Sequence, residues 1–358
     1  FPIDDLPFRA SANEFLNLPA RYDAGWYLNI AREGYDWSYR VGGQQNIAFL
    51  PGLPMLMRVT GRLLGDQPML AGQIIVLLAG LWGLTYVYRL ARLQLGDPER
   101  AADAVTLLAA YPFAVFLGAV YTESLFLLAV AGAFYHALRR EWLKVAGWAA
   151  VAGFLRPNGF LLAVPLGVLA LSPSPWVSTR QGWLAFAPGR LWASARTRLG
   201  ALAAAAAAVT GVVVYSGYIY HLTNRPFTWL AAHEAWGRAY VGLGAFVERT
   251  YSDVMHQGLY EFTSRVPVNS MNAVACLLAL AAVWPVTRRW GPAFGLFMAI
   301  NLIPPLAAGG LLSIGRVTLV FFPMFIWLAD VLPESHRRAW ITGFAVAQGL
   351  GAALFYTW

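Results

Sequence analysis

What the chain has little of narrows its class before any motif is read. Only 12% of its 358 residues are charged, about half the share of an ordinary soluble domain. It holds one cysteine, Cys276, so no intrachain disulfide framework can form and no Cys/His zinc spacing exists. It has one lysine, Lys144, against 25 arginines, usage that suggests a GC-rich genome. No Gly-rich phosphate loop is present, so a nucleotide-dependent reaction has no obvious seat. No cleavable signal pattern, internal repeat or linker marking a soluble domain is visible.

What is abundant is apolar sequence: 58% of the residues are hydrophobic and the mean hydropathy is +0.53. Runs long enough to cross a hydrocarbon core of about 30 Å recur along the chain without strand-like alternation. The expected class is an all-α polytopic membrane protein in a single membrane-embedded domain, residues 1–358. Spans are expected at 69–92, 104–120, 124–138, 145–156, 159–171, 199–220, 268–284, 292–310, 316–332 and 339–357. The two short runs at 145–171 are broken by Arg156-Pro157-Asn158-Gly159 and are read as a hairpin. The Ala-rich stretch 203–208 reads as a helix packed through small side chains.

The formal charge of +8 is an orientation signal rather than a nucleic-acid footprint. Loops 89–103, 139–144, 172–198, 285–291 and 333–338, counted with Asp330 just ahead of the last, hold 14 basic and 6 acidic residues, and the rest of the chain holds 12 of each. By the positive-inside rule those loops face the cytoplasm. Residues 1–66 and 221–267 are then the two large extracytoplasmic segments of an inner-membrane protein. For 1–66 to begin outside, a further span is expected ahead of Phe1, about eleven in all.

Candidate chemistry gathers on that outer face. Residues 21–35, RYDAGWYLNIAREGY, place Asp23, Trp26, Tyr27 and Ile30 on one face of a short interfacial helix that Gly34 should stop. Spacing alone leaves Asp23 as either the helix N-cap or a functional carboxylate. After Pro51-Gly52-Pro54 a second short amphipathic helix carries Arg58 and Arg62, the latter read as solvated. Glu123, in AVYTESLFLL, has apolar sequence on both sides, where a charge is costly and faces a cavity or partner; a capping role in an outer turn is the alternative. Arg156, beside Asn158 at the helix break, and Arg316, after the flexible GGLLSIG turn, are suited to phosphate, with snorkelling as the alternative. In FTWLAAHEAWGRAY the aromatics Trp229, Trp236 and Tyr240 can stack on sugar rings or form an interfacial belt. His221, His233 and His256 read as ordinary loop histidines, too widely spread for a metal set.

RYDAGWYLNIAREGY with AFLPGLPMLMR resembles the first outer loop of PIG-V-type mannosyltransferases, the enzymes adding the second mannose of GPI anchors, and their bacterial relatives. YTESLFLL, FLRPNGFLL, FTWLAAHEAWGR and SIGRVTLVFFPMF resemble later blocks of that family in the same order, although Gly52-Leu53-Pro54 stands where the family has a proline–tyrosine step. The resemblance implies a GT-C bundle of about ten to eleven transmembrane helices with interfacial helices in the first outer loop. It implies inverting transfer of a sugar, expected to be mannose, from a polyprenyl-phosphate donor to a lipid, glycan or protein acceptor outside the cytoplasm. Asp23 takes the position of the family's catalytic base, with Glu123 orienting the acceptor or holding an arginine. Arg21, Tyr27, Arg156, Asn158, Trp236, Arg238 and Arg316 are the expected substrate-binding residues. No cofactor, resident metal or nucleic acid is expected, and membrane lipids are the other partners. A lipid or solute transporter fits the broken helix at Arg156–Gly159, but transporters usually show duplicated halves. An intramembrane protease built on Ser313 lacks a matching histidine on a nearby span.

Overall fold

In a computed structural model the described residues are 13–37, 43–172, 198–265 and 267–357. Among them every regular element is a helix. After a single helical turn at Glu14–Asn17 come two short helices, α1 (Asp23–Glu33) and α2 (Gly52–Leu63). Then follow α3 (Pro68–Leu95), α4 (Pro98–Ala109), α5 (Glu123–Leu138), α6 (Trp142–Leu155), α7 (Gly159–Leu171) and α8 (Leu199–Thr223). Beyond short helical turns at Thr228–Ala231 and Ala232–Trp236 come α9 (Gly242–Arg265, kinked at Gly258 with φ 79°), α10 (Pro267–Trp290), α11 (Pro292–Gly309), α12 (Ile314–Thr318), α13 (Phe322–Val331) and α14 (Glu334–Thr357). The helices α3, α8, α10, α11 and α14 are long and apolar enough to cross a membrane, whereas α5, α6, α7 and α13 are apolar but shorter.

Local chemistry sets several boundaries. Gly34 closes α1 at φ 91°, and Gly96 closes α3 at φ 71°, conformations that carry no Cβ penalty in glycine. Asp97 caps α4 by accepting from the Glu99 amide at 2.8 Å, with Pro98 at the first helical position. Pro157 holds Arg156 in extended backbone (φ −142°, ψ 149°), which ends α6. Two expected spans are corrected. The run 104–120 is not one helix: α4 stops at Ala109, and a turn at Tyr111-Pro112 leads to a single 3-10 turn, Ala114–Leu117. The run 316–332 is likewise split into α12 and α13, with Pro323 in the first turn of the second piece. The prolines Pro304 and Pro305, by contrast, lie inside α11 without ending it.

The core is aromatic at one level, where Phe134 of α5, Phe294 and Phe297 of α11 and Phe322 of α13 meet with ring centroids 5.1–5.6 Å apart. Elsewhere it depends on missing side chains. Gly153 of α6 and Gly211 of α8 cross so closely that a Cβ on Gly153 would stand 2.1 Å from the Ala208 carbonyl oxygen. Ala204, Ala205 and Ala208 are buried at the same crossing, the small-residue contact by which apolar helices associate in lipid.

Ion pairs tie together the loops at the end of the bundle opposite the site described below. Asp330 accepts from Arg289 at 2.9 Å and lies 3.6 Å from Arg100, and Arg337 pairs with Asp103. Arg140 donates to the Leu169 and Ser172 carbonyls at 2.9 and 2.7 Å. The loop 172–198, expected on this side, lies outside the described residues apart from its two ends.

Candidate active site

Four charged side chains from four separate segments form a continuous chain. Arg316 donates through Nη1 to Asp23 Oδ2 at 2.5 Å and through Nε approaches Glu123 Oε1 at 3.1 Å. Arg156 donates from Nη1 to the same Glu123 oxygen at 3.0 Å. Glu123 is only 1% exposed, and its second oxygen, Oε2, is buried with no hydrogen-bond partner among the described residues. The side chains of Asp23 and Arg316 keep 22% and 16% of their surface, so the Asp23 end of the chain is the accessible one. Such charges persist in an apolar bundle because each is paired.

The local fold explains how each member arrives. Asp23 is the first residue of α1, and the cap position belongs to Tyr22 at φ 51°, ψ −114°. The N-cap alternative for Asp23 therefore gives way: its carboxylate reaches Arg316 rather than its own helix amides. Glu123 opens α5 from a turn whose residues Tyr121, Thr122 and Ser124 are all buried. Arg156 projects from the Pro157 break, with its guanidinium 5.5 Å from the Phe126 ring. Arg316 sits on a single helical turn entered through Ser313 at φ 61°. That turn is pinned by Asn272 of α10, whose Oδ1 accepts from the Gly315 amide at 2.8 Å. A Cβ on Gly315 would fall 2.0 Å from the Phe113 ring, so glycine is required there.

Rings surround the ions. The Tyr121 and Phe116 centroids lie 5.2 and 5.7 Å from the Arg316 guanidinium carbon. Tyr27 is buried among Phe49 and Tyr121, and burial together with the Asp23 and Glu123 charges raises its hydroxyl far above the ordinary tyrosine value. It is therefore a neutral hydrogen-bond donor. Trp236 packs against Trp26 (5.7 Å) and Phe49 (5.6 Å), bringing the loop 221–267 over the first segment. Arg238, two residues on, is pulled down to about 10, first by burial and then by Arg316, and remains a cation at neutral pH. It also feels Asp23, Arg156 and Glu123, so a third guanidinium faces the same ions.

Other expected residues sit differently. Asn158 donates to Asn301 of α11 at 2.6 Å, so it fastens the helix break to its neighbour. Arg21 presents its carbonyl to the Tyr121 hydroxyl at 3.1 Å, and its charge acts on the Tyr22 and Tyr356 hydroxyls. Trp229 is 3% exposed and donates to Ser216 Oγ, so it is a core residue and cannot stack on a sugar. His233, read as an ordinary exposed loop histidine, is instead half-buried with Nδ1 on the Trp229 carbonyl at 2.9 Å; burial lowers its pKa below the ordinary value. Sequence reasoning passes over Tyr121 and Asn272, and places Arg58 on its helix without a partner. Arg58 of α2 caps the C-terminus of α1, donating to the Ala31 and Ile30 carbonyls at 2.7 and 3.0 Å.

Residues 8–172 match the family model Mannosyltransferase (PIG-V). The chain is 31% identical over 152 residues to the GPI alpha-1,6-mannosyltransferase 2 of Cricetulus griseus, which covers 40% of this chain and 29% of that protein. The apo crystal structure of ArnT from Cupriavidus metallidurans aligns with 91% of this chain and 58% of its own, with a TM-score of 0.51 and 18% identity. The chain thus spans less than a third of the first relative and under two thirds of the second. Residues 8–172 are similar to the PIG-V mannosyltransferase family, and the described residues form an all-helical fold like that of ArnT.

Proposed function

We propose that the protein is a membrane glycosyltransferase that moves a mannosyl group, with inversion, from a polyprenyl-phosphate donor to an acceptor hydroxyl on the extracytoplasmic side. The observation that carries this reading is the buried chain Asp23–Arg316–Glu123–Arg156, with Arg238 facing it and aromatic rings around it. Three guanidinium groups around two carboxylates leave a net positive site, which suits a lipid phosphate leaving group. The partly exposed carboxylate at the open end suits a base.

In the proposed step the acceptor oxygen attacks the anomeric carbon as its proton passes to Asp23. A glycosidic C–O bond forms, and the C–O bond to phosphate breaks on the opposite face of the ring. The electron pair leaves with the polyprenyl phosphate. Asp23 Oδ2 is held by Arg316, and Oδ1 has no hydrogen bond among the described residues, so it is the oxygen disposed to take the proton. Arg156 and Arg316 stabilise the charge growing on the departing phosphate. Trp26, Phe49 and Trp236 offer the apolar faces on which a sugar ring rests.

The test is donor turnover by purified protein in detergent, with synthetic polyprenyl-phosphate mannose as donor and a total extract of the host's membranes as the acceptor source. Asp23→Asn keeps size and shape but removes the proton acceptor, so turnover should fall by roughly 10²–10⁴-fold. Asp36, an exposed acid beyond α1, should tolerate the same change. An Asp23→Asn enzyme holding more than about a tenth of normal turnover would remove Asp23 as base.

A further inference from the structure

Tyr22, the residue before Asp23, adopts φ 51° and ψ −114°, backbone that side chains rarely tolerate. A strained residue of this kind persists only where its surroundings hold it. What holds it comes from 100 residues away. The Tyr121 hydroxyl donates to the Arg21 carbonyl at 3.1 Å and accepts from the Asp23 amide, also at 3.1 Å. One oxygen thus clamps the chain on both sides of the strained residue. The Tyr121 ring meanwhile lies 5.2 Å from the Arg316 guanidinium, the partner of the Asp23 carboxylate. Tyr121 is 2% exposed, and burial with the nearby Asp23 charge raises its hydroxyl well above the ordinary value, so it stays neutral and able to donate. The clamp is backed by the end of α14, where Phe355 packs against Tyr22, Tyr121 and Phe116 with centroids 5.2–6.0 Å away.

We infer that Tyr121 is a positioning residue for the transfer: its hydroxyl fixes the strained turn at Tyr22, and so aims the Asp23 carboxylate, while its ring seats Arg316. Resting on the reading of Asp23 as base, the inference assigns a function to an uncharged residue that makes no contact with the reacting atoms. The turn at residues 21–23 is two-sided, since the same hydroxyl serves as donor and acceptor. Phenylalanine keeps the ring under Arg316 and the packing on Phe355, and removes both hydrogen bonds at once.

The experiment measures donor turnover for Tyr121→Phe, Asp23→Asn and the double variant in the assay above, together with hydrogen exchange of the intact proteins. Tyr121→Phe should lower kcat by roughly 10–100-fold, with the donor KM within about twofold, since a carboxylate misplaced by about 1 Å loses rate rather than binding. The peptide spanning residues 20–30 should exchange faster, while peptides from α3 and α5 stay unchanged. In the Asp23→Asn background the Tyr121 substitution should cost nothing more, because a residue acting through Asp23 has nothing left to aim. The inference is overturned if Tyr121→Phe turns over within about threefold of the parent, if its loss adds in full to that of Asp23→Asn, or if exchange rises across the whole protein. A silent Tyr121→Phe beside a dead Asp23→Asn removes this inference alone. An active Asp23→Asn removes the proposed function and the inference with it.

Discussion

Replacing Glu123 by glutamine probes the centre of the ion chain. The substitution preserves volume and one acceptor oxygen but deletes the charge that both Arg156 and Arg316 address, at 3.0 and 3.1 Å. Opposite charges about 3 Å apart attract by roughly 5 kcal/mol at an effective dielectric near 20, and desolvation offsets much of that. What is measured on removing one partner of a buried pair is about 3–5 kcal/mol, because the other charge is left stranded. Here two guanidiniums are left facing each other with Asp23 as the remaining acid. At a few degrees per kcal/mol the midpoint of thermal unfolding should fall by roughly 5–15 °C. Tryptophan fluorescence of the detergent-solubilised protein reads it. The double variant Glu123→Gln/Arg156→Gln removes one cation as well, and should recover about half of the loss, a coupling within the range for contacting residues. A midpoint within about 2 °C of the parent for Glu123→Gln, or a double variant whose losses simply add, would refute the claim that Glu123 neutralises both arginines.

Two further outcomes follow from the same geometry. Arg316→Lys keeps the charge, yet a single ammonium cannot replace a guanidinium whose Nη1 donates to Asp23 and whose Nε lies 3.1 Å from Glu123; donor turnover should drop by roughly 10–100-fold with the fold retained, read beside the melting midpoint. Arg58→Ala uncaps α1 by removing three donations to the Ile30, Ala31 and Arg32 carbonyls, and should cost about 1.5–3 kcal/mol, visible as faster proteolysis of the 23–50 segment in detergent.

Hydropathy exposed most of the spans, because a helix wrapped in lipid and other helices is apolar all round. It misjudged 104–120 and 316–332 for the same reason. Transfer free energies sum side chains and are blind to backbone, so the breaks at Pro112 and before Pro323 vanished into apolar averages. Pro304 and Pro305 show why prolines alone do not settle the matter: that helix runs through them. In the site, Asp23, Glu123, Arg156 and Arg316 stood out as charges in apolar surroundings. Their pairing did not, since 293 residues separate Arg316 from Asp23. Tyr121 and Asn272 left no signal, being neutral residues in greasy sequence, where an aromatic reads as belt and an amide as filler. Trp229 misled for the converse reason: its indole hydrogen bond to Ser216 takes a loop aromatic into the core.

The provenance of the four charges also bears on biogenesis. Asp23, Glu123 and Arg156 all fall within the first 172 residues, whereas Arg316 is contributed by the last third of the chain. A nascent chain stopped after α7 holds two carboxylates against one guanidinium in an apolar surrounding, a net negative charge that lipid tolerates poorly. Neutrality waits for the second half of the chain: Arg238 supplies one further guanidinium, and Arg316, whose turn docks on Asn272, makes the site net positive. The final spans therefore do not merely follow the earlier ones into the bilayer; their arrival closes an electrostatic circuit that the first half leaves open. Truncations late in the chain should consequently be cleared by quality control as unassembled proteins are, even where every earlier helix has been inserted.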